Sequence, residues 1–381
     1  MASNTELRDQ ATALLNQAIE VLAGITDSGE QPIPPEPPNP TPMTGIYHGA
    51  YIDGSTMQRY YGDDYAYTVP WDPEERVQKK FEEDASKTIA ISHWGTGSAS
   101  VPIWDSNAND MLEKMREARG RSCYPLLDTS TASVYLGDIV RGDFDDKIRE
   151  WFSVIATFGK PWIIRLNTEM NGSWYGYGAN DLQGPEQPTN FVKSWQRIHD
   201  LAGEVGANDN ATWHWAPNSL PPWDVTYFPH PFSAYYPGDE YVDLAGFVCY
   251  QQGKDASEGD WSYLSGASYD ECLKVAPNKP MLISEWSSFF EFTQPPKNPD
   301  HGFCSNKGEW LRNALNYVAS DQPAIMGMVM FNCGYETGKM EHNEIETSEA
   351  AKNGYRRGVS DDPIWIGRHD LADSGKVPVL R

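Results

Sequence analysis

The sequence predicts an α/β fold, a (β/α)8 TIM barrel preceded by an N-terminal amphipathic helix and a proline-rich linker. Strand-like and helix-like segments alternate from about residue 43 onward. Most of the strand candidates are continuous apolar runs, which is typical of parallel strands buried on both faces. Long loops rich in Gly, Pro, Trp and Tyr follow two of these strands, as expected at the carboxyl-terminal face of a barrel. A doubly wound sheet is the alternative, but no glycine-rich phosphate-binding signature follows the first strand.

Eight strands are predicted, and in chain order they are Gly45–Ile52, Lys87–His93, Ser122–Asp128, Pro161–Thr168, Ala211–Ala216, Val242–Tyr250, Pro280–Ser284 and Ala324–Phe331. Helices are predicted between them at Pro73 to about Ser86, Ala108–Ala118, Phe144–Phe158, Pro188–Val205, Tyr269–Val275 and Lys307–Ala319. This alternation places a barrel domain at residues 43–356. It leaves a C-terminal tail at residues 357–381, which either wraps the barrel or contacts a partner.

The N-terminal region predicts a separate module. Apolar residues recur in steps of four and three across Thr5–Ile25, which is the spacing of a coiled-coil seam. Three heptads are too short to be stable alone, so the helix either packs on the main domain or mediates homo-oligomerisation or docking to a scaffold. Residues 1–30 contain this helix, and the proline-rich linker at residues 31–42 is expected to be extended and semi-rigid.

Composition argues against several classes of function. The chain has 54 acidic and 30 basic residues and a formal charge of −24, so it repels nucleic acid and anionic membranes. No apolar run approaches the length of a membrane span, and the N-terminus lacks the basic and apolar regions of a secretory signal peptide. The five cysteines have no paired spacing, so we expect reduced thiols and no structural zinc. The 14 Trp and 20 Tyr suit a carbohydrate groove, although large cores also use aromatic residues.

Two strands share a pattern that indicates acid chemistry. Lys160–Gly178 and Lys279–Ser287 each begin with Lys-Pro, continue as an apolar run and reach a glutamate, Glu169 or Glu285. Parallel barrel strands present such residues at the carboxyl-terminal face. Hydrolysis of a sugar acetal uses two carboxylates, one to protonate the leaving oxygen and one on the opposite face of the anomeric carbon. We therefore predict that Glu169 and Glu285 are a catalytic pair.

The residues around the first glutamate carry a family resemblance. Arg165, Glu169 and Trp174, with the Met-Asn-Gly run that follows Glu169, have the spacing of the strand-four signature of glycoside hydrolase family 26. The chain from about residue 45 to 334 resembles this family, whose members are mostly β-mannanases with some β-1,3-xylanases and β-glucanases. The resemblance implies a retaining mechanism in which Glu169 is the general acid/base and Glu285 is the nucleophile.

The resemblance also implies roles for neighbouring residues. It implies that Tyr250 hydrogen-bonds the nucleophile, that Trp174 forms part of a sugar platform and that Asn171 contacts substrate. The alternative for Tyr250 is a tyrosine of the core. One position departs from the family, because the usual His before the acid/base glutamate is Thr168 here. A hydroxyl is shorter and uncharged, so contacts at this position must differ and mannan is not assumed as the substrate.

Strand periodicity adds a further candidate beneath the carboxylates. Arg165, Asn167 and Glu169 share one face of the predicted strand, so Arg165 either supports the catalytic pair or forms a structural ion pair in the barrel. The remaining candidate sugar contacts stand at strand ends or in aromatic loops, and they are His93, Trp94, Trp215, Asn218, Trp223 and Trp286. Asp128, at the end of the third strand, is a weaker candidate.

These expectations combine into one functional hypothesis. The chain is a retaining glycoside hydrolase that cleaves a β-linked polysaccharide of the mannan, xylan or glucan type, and it needs no metal or other cofactor. The N-terminal helix and linker suggest that it is anchored to a larger assembly such as a bacteriophage tail, which makes it virion-associated or otherwise cytoplasmic. The alternative is a catalytically inactive glycan-binding structural protein of a virion.

Overall fold

The computed structural model of the protein describes residues 44–65, 73–95, 101–334 and 342–380. The predicted helix Thr5–Ile25 and the linker at residues 31–42 lie outside these residues. Within the described part of the chain, strands and helices alternate as the sequence predicts. None of the helices described there has the length and apolar character needed to cross a lipid bilayer.

A parallel sheet occupies the centre of the described structure. Its main strands are β1 (Ile46–Ile52), β2 (Ile91–Gly95), β3 (Tyr124–Thr129), β4 (Trp162–Leu166), β5 (Ala211–His214), β6 (Val248–Gln251), β7 (Met281–Ser288) and β8 (Ile325–Asn332). Hydrogen-bonded neighbours follow the order β5-β4-β3-β2-β1-β8-β7-β6. Parallel bridges from His214 to Leu244 and from Asn218 to Val248 connect the β5 and β6 regions. This arrangement is consistent with a (β/α)8 barrel, in which every strand ends at the same rim.

Helices connect the strands. The α-helices of the described residues are α1 (Gly54–Tyr61), α2 (Pro73–Ala85), α3 (Ala108–Gly120), α4 (Leu136–Arg141), α5 (Asp145–Ala156), α6 (Gln187–Glu204), α7 (Trp261–Val275), α8 (Lys307–Asp321) and α9 (Glu349–Ser360). The six predicted helices are all present, although α7 begins at Trp261 instead of Tyr269. The sequence does not predict α1, α4 or α9, and α9 runs past residue 356, where the barrel domain was expected to end.

Two glycines explain why α9 escapes prediction from sequence. A Cβ at Gly354 would collide with the backbone of Gly308 in α8, and a Cβ at Gly358 would collide with the side chain of Leu315. Glycine weakens an isolated helix, by about 1 kcal/mol relative to alanine. Here the same residues permit close packing of α9 against α8, so tertiary contact compensates for poor intrinsic propensity.

The C-terminal segment packs beneath the barrel. Val377 and Leu380 are buried against apolar residues near the amino ends of the strands, including Tyr47 of β1. The Tyr47 hydroxyl donates to the Pro378 carbonyl at 3.1 Å, and the Val377 N–H donates to the Thr212 hydroxyl at 2.8 Å. A two-residue strand, β9 (Trp365–Ile366), also pairs with β1. The tail therefore covers the rim opposite to the carboxyl ends of the strands.

The prediction of unpaired thiols is confirmed, because all five cysteines are free and buried. Burial raises the pKa of the Cys249 thiol to about 12, and it does the same for Cys123. Both thiols therefore stay protonated at neutral pH and serve as small apolar side chains beside the strands.

Candidate active site

The carboxyl ends of the strands open into a cleft of about 910 Å³. Both predicted catalytic glutamates line it, together with five of the predicted sugar contacts, which are His93, Trp174, Asn218, Trp223 and Tyr250. The rest of the lining is dominated by aromatic and proline side chains from several strand ends and loops. The barrel topology thus brings residues far apart in sequence into one concave site of the size that ligands occupy.

A local backbone irregularity places the first glutamate. β4 ends at Leu166, two residues before the predicted strand end, so strand periodicity does not govern Asn167 and Glu169. Both residues have positive φ angles, 50° and 55°. The Asn167 side chain accepts the Thr131 N–H at 2.7 Å, and the Glu169 N–H donates to the Ala216 carbonyl at 2.8 Å. Left-handed non-glycine residues cost about 1–3 kcal/mol each and persist where surrounding contacts hold them, often at functional sites.

Glu169 sits in a setting that favours its protonated form. Its carboxylate accepts hydrogen bonds from the Asn218 side-chain amide and, at 3.0 Å, from the Trp174 indole N–H. Burial, followed by the negative charge of Glu285, raises the pKa of Glu169 to about 7, although both hydrogen bonds act in the opposite direction. A carboxylic acid with this pKa carries a proton at neutral or slightly acidic pH, as a general acid requires.

Glu285 has a different environment. It lies in β7, which continues to Ser288, at a register shift relative to β8 between Ile283 and Trp286. One carboxylate oxygen accepts a charged hydrogen bond from the guanidinium of Arg165, and the other accepts the Tyr250 hydroxyl at 2.8 Å. These donors orient the carboxylate and compensate its charge, as a nucleophilic carboxylate requires.

Arg165 is fully buried and links three strand ends below the cleft. Its Nε donates to Asp128 at 3.0 Å, and another guanidinium nitrogen donates to the Ser284 hydroxyl at 3.1 Å. Burial opposes the charge of Arg165, but Asp128 and Glu285 together raise its pKa well above the usual range. The guanidinium also lies 3.3 Å from Nε2 of His93, whose pKa is lowered by burial and by Arg165. His93 is therefore neutral and accepts this hydrogen bond.

A metal ion is the alternative occupant of this position, and the residues argue against it. Ligand atoms of His93, Asp128 and Glu285 lie within 4.8 Å of one another, close enough to hold an ion. Arg165 already contacts all three side chains. Its fixed positive charge takes the place that a cation would need, and like charges at this distance repel strongly in a buried site.

Comparison with known proteins identifies the family. A family model described as "Glycosyl hydrolase family 26" matches residues 55–278, which is more than half of the chain. The chain belongs to glycosyl hydrolase family 26. The predicted resemblance to this family is therefore confirmed. The matched residues include Glu169 and Tyr250 but end before Glu285, so the position of Glu285 rests on the geometry of the cleft.

Known relatives of this family 26 chain cover it in part. Endoglucanase H of Acetivibrio thermocellus is 24% identical over 226 residues, which are 58% of this chain and 23% of that protein. A beta-1,3-xylanase of a Vibrio species is 21% identical over 210 residues, which are 52% of this chain and 41% of that protein. The chain thus spans less than half the length of these relatives. The structure of a GH26 beta-mannanase from Bacteroides ovatus matches with a TM-score of 0.57 and 16% identity, over 87% of this chain and 92% of that one, which shows the shared fold.

Several predicted sugar contacts of this family 26 chain do not reach the cleft. Trp215 and Trp286 are fully buried. Trp215 packs against Phe232 and Tyr236, and Trp286 packs against Trp261, Trp310 and Tyr355 on the surrounding helices. Trp94 lines a separate small cavity beside α2 and α3. Asn171 is buried and exchanges two hydrogen bonds with the backbone of Asn218, at 2.8 and 2.9 Å, so it positions a cleft residue instead of lining the cleft. For these four residues the structure offers no direct contact with a ligand in the cleft.

Thr168, the departure from the family pattern, also lies outside the cleft lining. Its side chain is 4% exposed, and its hydroxyl donates to the Ala216 carbonyl at 3.4 Å. Its own carbonyl accepts the Tyr177 hydroxyl at 2.9 Å. The residue that replaces the usual His therefore secures the β4 loop to its neighbours and presents no group to a sugar.

The structure adds lining residues that the sequence did not single out. Tyr51 and Phe331 stack with ring centroids 4.8 Å apart, at the ends of β1 and β8. Tyr227 contributes a ring that is 64% exposed and lies in the same loop as Trp223, which was predicted. Glu258, in the loop between β6 and α7, is a further carboxylate. A strand-end search would have found Tyr51 and Phe331, whereas no local pattern distinguishes Glu258 among 54 acidic residues.

Proposed function

We propose that this chain is a retaining glycoside hydrolase acting on a β-linked polysaccharide of the mannan, xylan or glucan type. Glu169 is the general acid/base and Glu285 the nucleophile. The observation that carries the proposal is the contrast between the two carboxyl groups in one cleft. Glu169 has a pKa raised to about 7, whereas Glu285 accepts hydrogen bonds from a buried arginine and a tyrosine. Environments that differ in this way separate an acid from a nucleophile.

In the first step, a carboxylate oxygen of Glu285 attacks the anomeric carbon. The bond from that carbon to the leaving oxygen breaks, and Glu169 gives its proton to this oxygen. The product is a glycosyl ester on Glu285, and the leaving chain departs as an alcohol. Trp174 and Asn218 hold the Glu169 carboxyl group, while Tyr250 and Arg165 hold Glu285.

In the second step, Glu169 accepts a proton from water, whose oxygen attacks the anomeric carbon and displaces Glu285. The structure supports this exchange of roles, because the negative charge of Glu285 contributes to the raised pKa of Glu169. Formation of the ester removes that charge. The pKa of Glu169 then falls, and the residue that served as an acid becomes a competent base.

Two considerations support a β-glycan substrate. Relatives of the chain are named as an endoglucanase, a beta-1,3-xylanase and a GH26 beta-mannanase. The aromatic lining of the cleft provides flat apolar surfaces suited to the carbon–hydrogen faces of sugar rings. We leave mannan, xylan and glucan as alternatives, because no lining residue by itself selects one of them.

The test is release of reducing ends from a panel of mannans, xylans and β-glucans. Wild type should release ends from at least one of them, whereas Glu169→Ala and Glu285→Ala should release few or none. NMR should show that the anomeric carbon of the first product keeps the configuration it had in the substrate. A wild type that binds glycans but yields no more ends than the two variants would refute hydrolysis and establish the inactive glycan-binding alternative.

We further propose that the N-terminal region anchors the enzyme, through homo-oligomerisation or docking of Thr5–Ile25 to a scaffold. The proline-rich linker at residues 31–42 would separate the enzyme from that scaffold, and a bacteriophage tail is the setting we favour. This proposal rests on sequence pattern alone. Deletion of residues 1–42 should reduce the number of chains per particle, measured by light scattering, and leave hydrolysis intact. An unchanged number of chains would exclude oligomerisation through this segment. Failure to detect the chain in purified virions would exclude the tail setting.

A further inference from the structure

The loop at residues 252–260, between β6 and α7, is fixed on one side of the cleft. At its start, the Gln251 amide donates to the Gly253 carbonyl and to the Ser288 hydroxyl, at 3.2 and 3.1 Å. Further along, the Ser257 N–H donates to the Gln294 carbonyl at 3.1 Å, and the Asp260 N–H donates to the His301 carbonyl at 2.8 Å. Contacts at both ends and in the middle give the loop a defined conformation, so side chains on it can position a ligand.

Glu258 is the acidic side chain that this loop presents to the cleft. One carboxylate oxygen accepts the Gln252 N–H at 2.9 Å, and among the described residues its other oxygen has no hydrogen-bond or ion-pair partner. Glu258 is partly buried, and this burial raises the pKa of its carboxyl group. The described residues that line the cleft include neither Lys nor Arg. The free carboxylate oxygen therefore has no cationic partner in the cleft and is available to accept a hydrogen bond from a polar ligand.

The loop after β5 and the loop before α7 indicate on which side of the catalytic pair Glu258 lies. A general acid must reach the leaving oxygen, so the leaving-group sugar begins beside Glu169 and its partner Asn218. From Asn218 the cleft wall continues to Leu220, whose N–H donates to the Ser268 hydroxyl of α7 at 2.8 Å. Glu258 lies in the loop that leads into α7, and it lines the cleft together with Leu220 and with Leu264 of α7. The stacked rings at the ends of β1 and β8 come from the other side of the barrel.

Glu258 also stands apart from the reacting bond. Glu258 lies in the loop after β6, whereas Glu169 follows β4 and Glu285 lies within β7. Among the described residues, the Glu258 carboxylate is hydrogen-bonded by the Gln252 N–H and by neither catalytic glutamate. Glu258 is therefore placed for binding a neighbouring sugar unit and not for proton transfer at the scissile bond.

Resting on the proposed function, we propose that Glu258 is a specificity-determining residue for the leaving-group sugar. Its free carboxylate oxygen accepts hydrogen bonds from hydroxyls of an uncharged sugar unit on the leaving-group side of the scissile bond. The same carboxylate rejects a sugar unit that carries an acidic group there, because two like charges in a partly desolvated site repel each other.

The test compares Glu258→Gln and Glu258→Ala with wild type. Asp255→Asn is the matched control, because Asp255 is an exposed acid in the same loop that does not line the cleft. We compare kcat/KM for an oligosaccharide with kcat/KM for an aryl glycoside of the same retained sugar. The ratio of the two should fall about tenfold in Glu258→Ala, as for loss of a hydrogen bond to a charged group. It should fall less in Glu258→Gln, because the amide oxygen still accepts a hydrogen bond. The ratio should stay unchanged in Asp255→Asn. An unchanged ratio in the Glu258 variants would overturn the inference, and so would an equal loss on both substrates.

A binding measurement separates this inference from the proposed function. In a Glu285→Ala background, calorimetry should show about tenfold weaker binding of a neutral β-linked oligosaccharide when Glu258→Ala is added. Wild type that fails to hydrolyse every glycan while this binding still depends on Glu258 would refute the proposed function alone. Equal affinity with and without Glu258 would refute the inference alone. Absence of both binding and hydrolysis would refute both.

An acidic substrate provides the second readout. An oligosaccharide with a uronate as its leaving-group unit should bind more weakly to Glu285→Ala than its neutral counterpart. The difference should shrink when Glu258→Gln is added, because the amide no longer repels the acid. Equal discrimination against the uronate with Glu and with Gln at this position would contradict the electrostatic part of the inference.

Discussion

Replacement of Trp174 by Phe should shift the pH dependence of hydrolysis in a definite direction. The Trp174 indole N–H donates to the Glu169 carboxylate at 3.0 Å, and this hydrogen bond lowers a pKa that burial and Glu285 raise to about 7. Phenylalanine keeps an aromatic ring but has no donor. The ionised form of Glu169 therefore loses a stabilising contact, and its pKa rises further.

The size of the shift follows from the strength of that hydrogen bond. A hydrogen bond to a charged group contributes about 1.5–3 kcal/mol, and one pKa unit corresponds to about 1.4 kcal/mol. Trp174 is 51% exposed, so solvent screens part of the interaction. The full hydrogen-bond energy would correspond to about one to two pKa units. With this screening we expect a smaller upward shift of the Glu169 pKa, of roughly half a unit to one unit.

The assay is kcat/KM for a soluble glycan measured across pH 4–10, since the alkaline limb of this profile reports the acid of the free enzyme. Wild type should lose activity as pH rises through about 7, the pKa of Glu169. In Trp174→Phe the limb should move to higher pH, even though overall activity falls. Trp223→Phe is the control, because the Trp223 ring also lines the cleft, whereas the hydrogen bonds to the Glu169 carboxylate come from Trp174 and Asn218. A limb that stays in place or moves down in Trp174→Phe would refute this account of the acid.

Three other perturbations test separate parts of the structure. Glu169→Ala should lower kcat for a polysaccharide by roughly 10²–10⁴-fold, and much less for an aryl glycoside with an acidic leaving group; equal losses on both would contradict the acid role. Arg165→Met should destabilise the fold by about 3–5 kcal/mol in urea unfolding, because it leaves the carboxylates of Asp128 and Glu285 without their buried partner. Arg149→Met, which removes solvent-exposed ion pairs with Asp146 and Glu204, should cost far less. Similar losses in the two variants would contradict the stabilising role of the buried arginine. Deletion of residues 377–381 uncovers apolar residues near the amino ends of the strands and should lower the melting temperature in calorimetry, since each buried apolar side chain contributes about 1.5–3 kcal/mol. KM at low temperature should stay the same. An unchanged melting temperature would show that the tail does not stabilise the fold.

Strand chemistry explains why so much of the barrel was predictable. Parallel strands buried on both faces are read directly as apolar runs, and each predicted strand overlaps an observed one. The glutamates were found for the same reason, because an acid that follows an apolar run stands out. The point at which a strand ends was harder to predict. β4 ends at Leu166, and the positive φ angles of Asn167 and Glu169, not strand periodicity, direct the acid into the cleft.

Aromatic residues mark the limit of local reasoning. Trp215 and Trp174 look alike as residues near strand ends, yet one is fully buried and the other is half exposed in the cleft. Which side of the barrel wall a side chain occupies depends on strand tilt and on the helices behind it, and neither is encoded within a few neighbouring residues. Trp94 and Trp286 were predicted as sugar contacts, and for this reason their side chains lie outside the cleft.

The sequence by itself determined the alternation of strands and helices, the family and the two glutamates, because these depend on apolar periodicity and on short motifs. Only the tertiary structure decided how those glutamates differ. Burial and the charge of Glu285 raise the pKa of Glu169, while Arg165 and Tyr250, from two other strands, hold Glu285. Long-range contacts also brought Glu258 to the cleft and packed the C-terminal tail beneath the barrel. Electrostatic environments and closed cores arise from residues distant in sequence, so they exist only once the chain has folded.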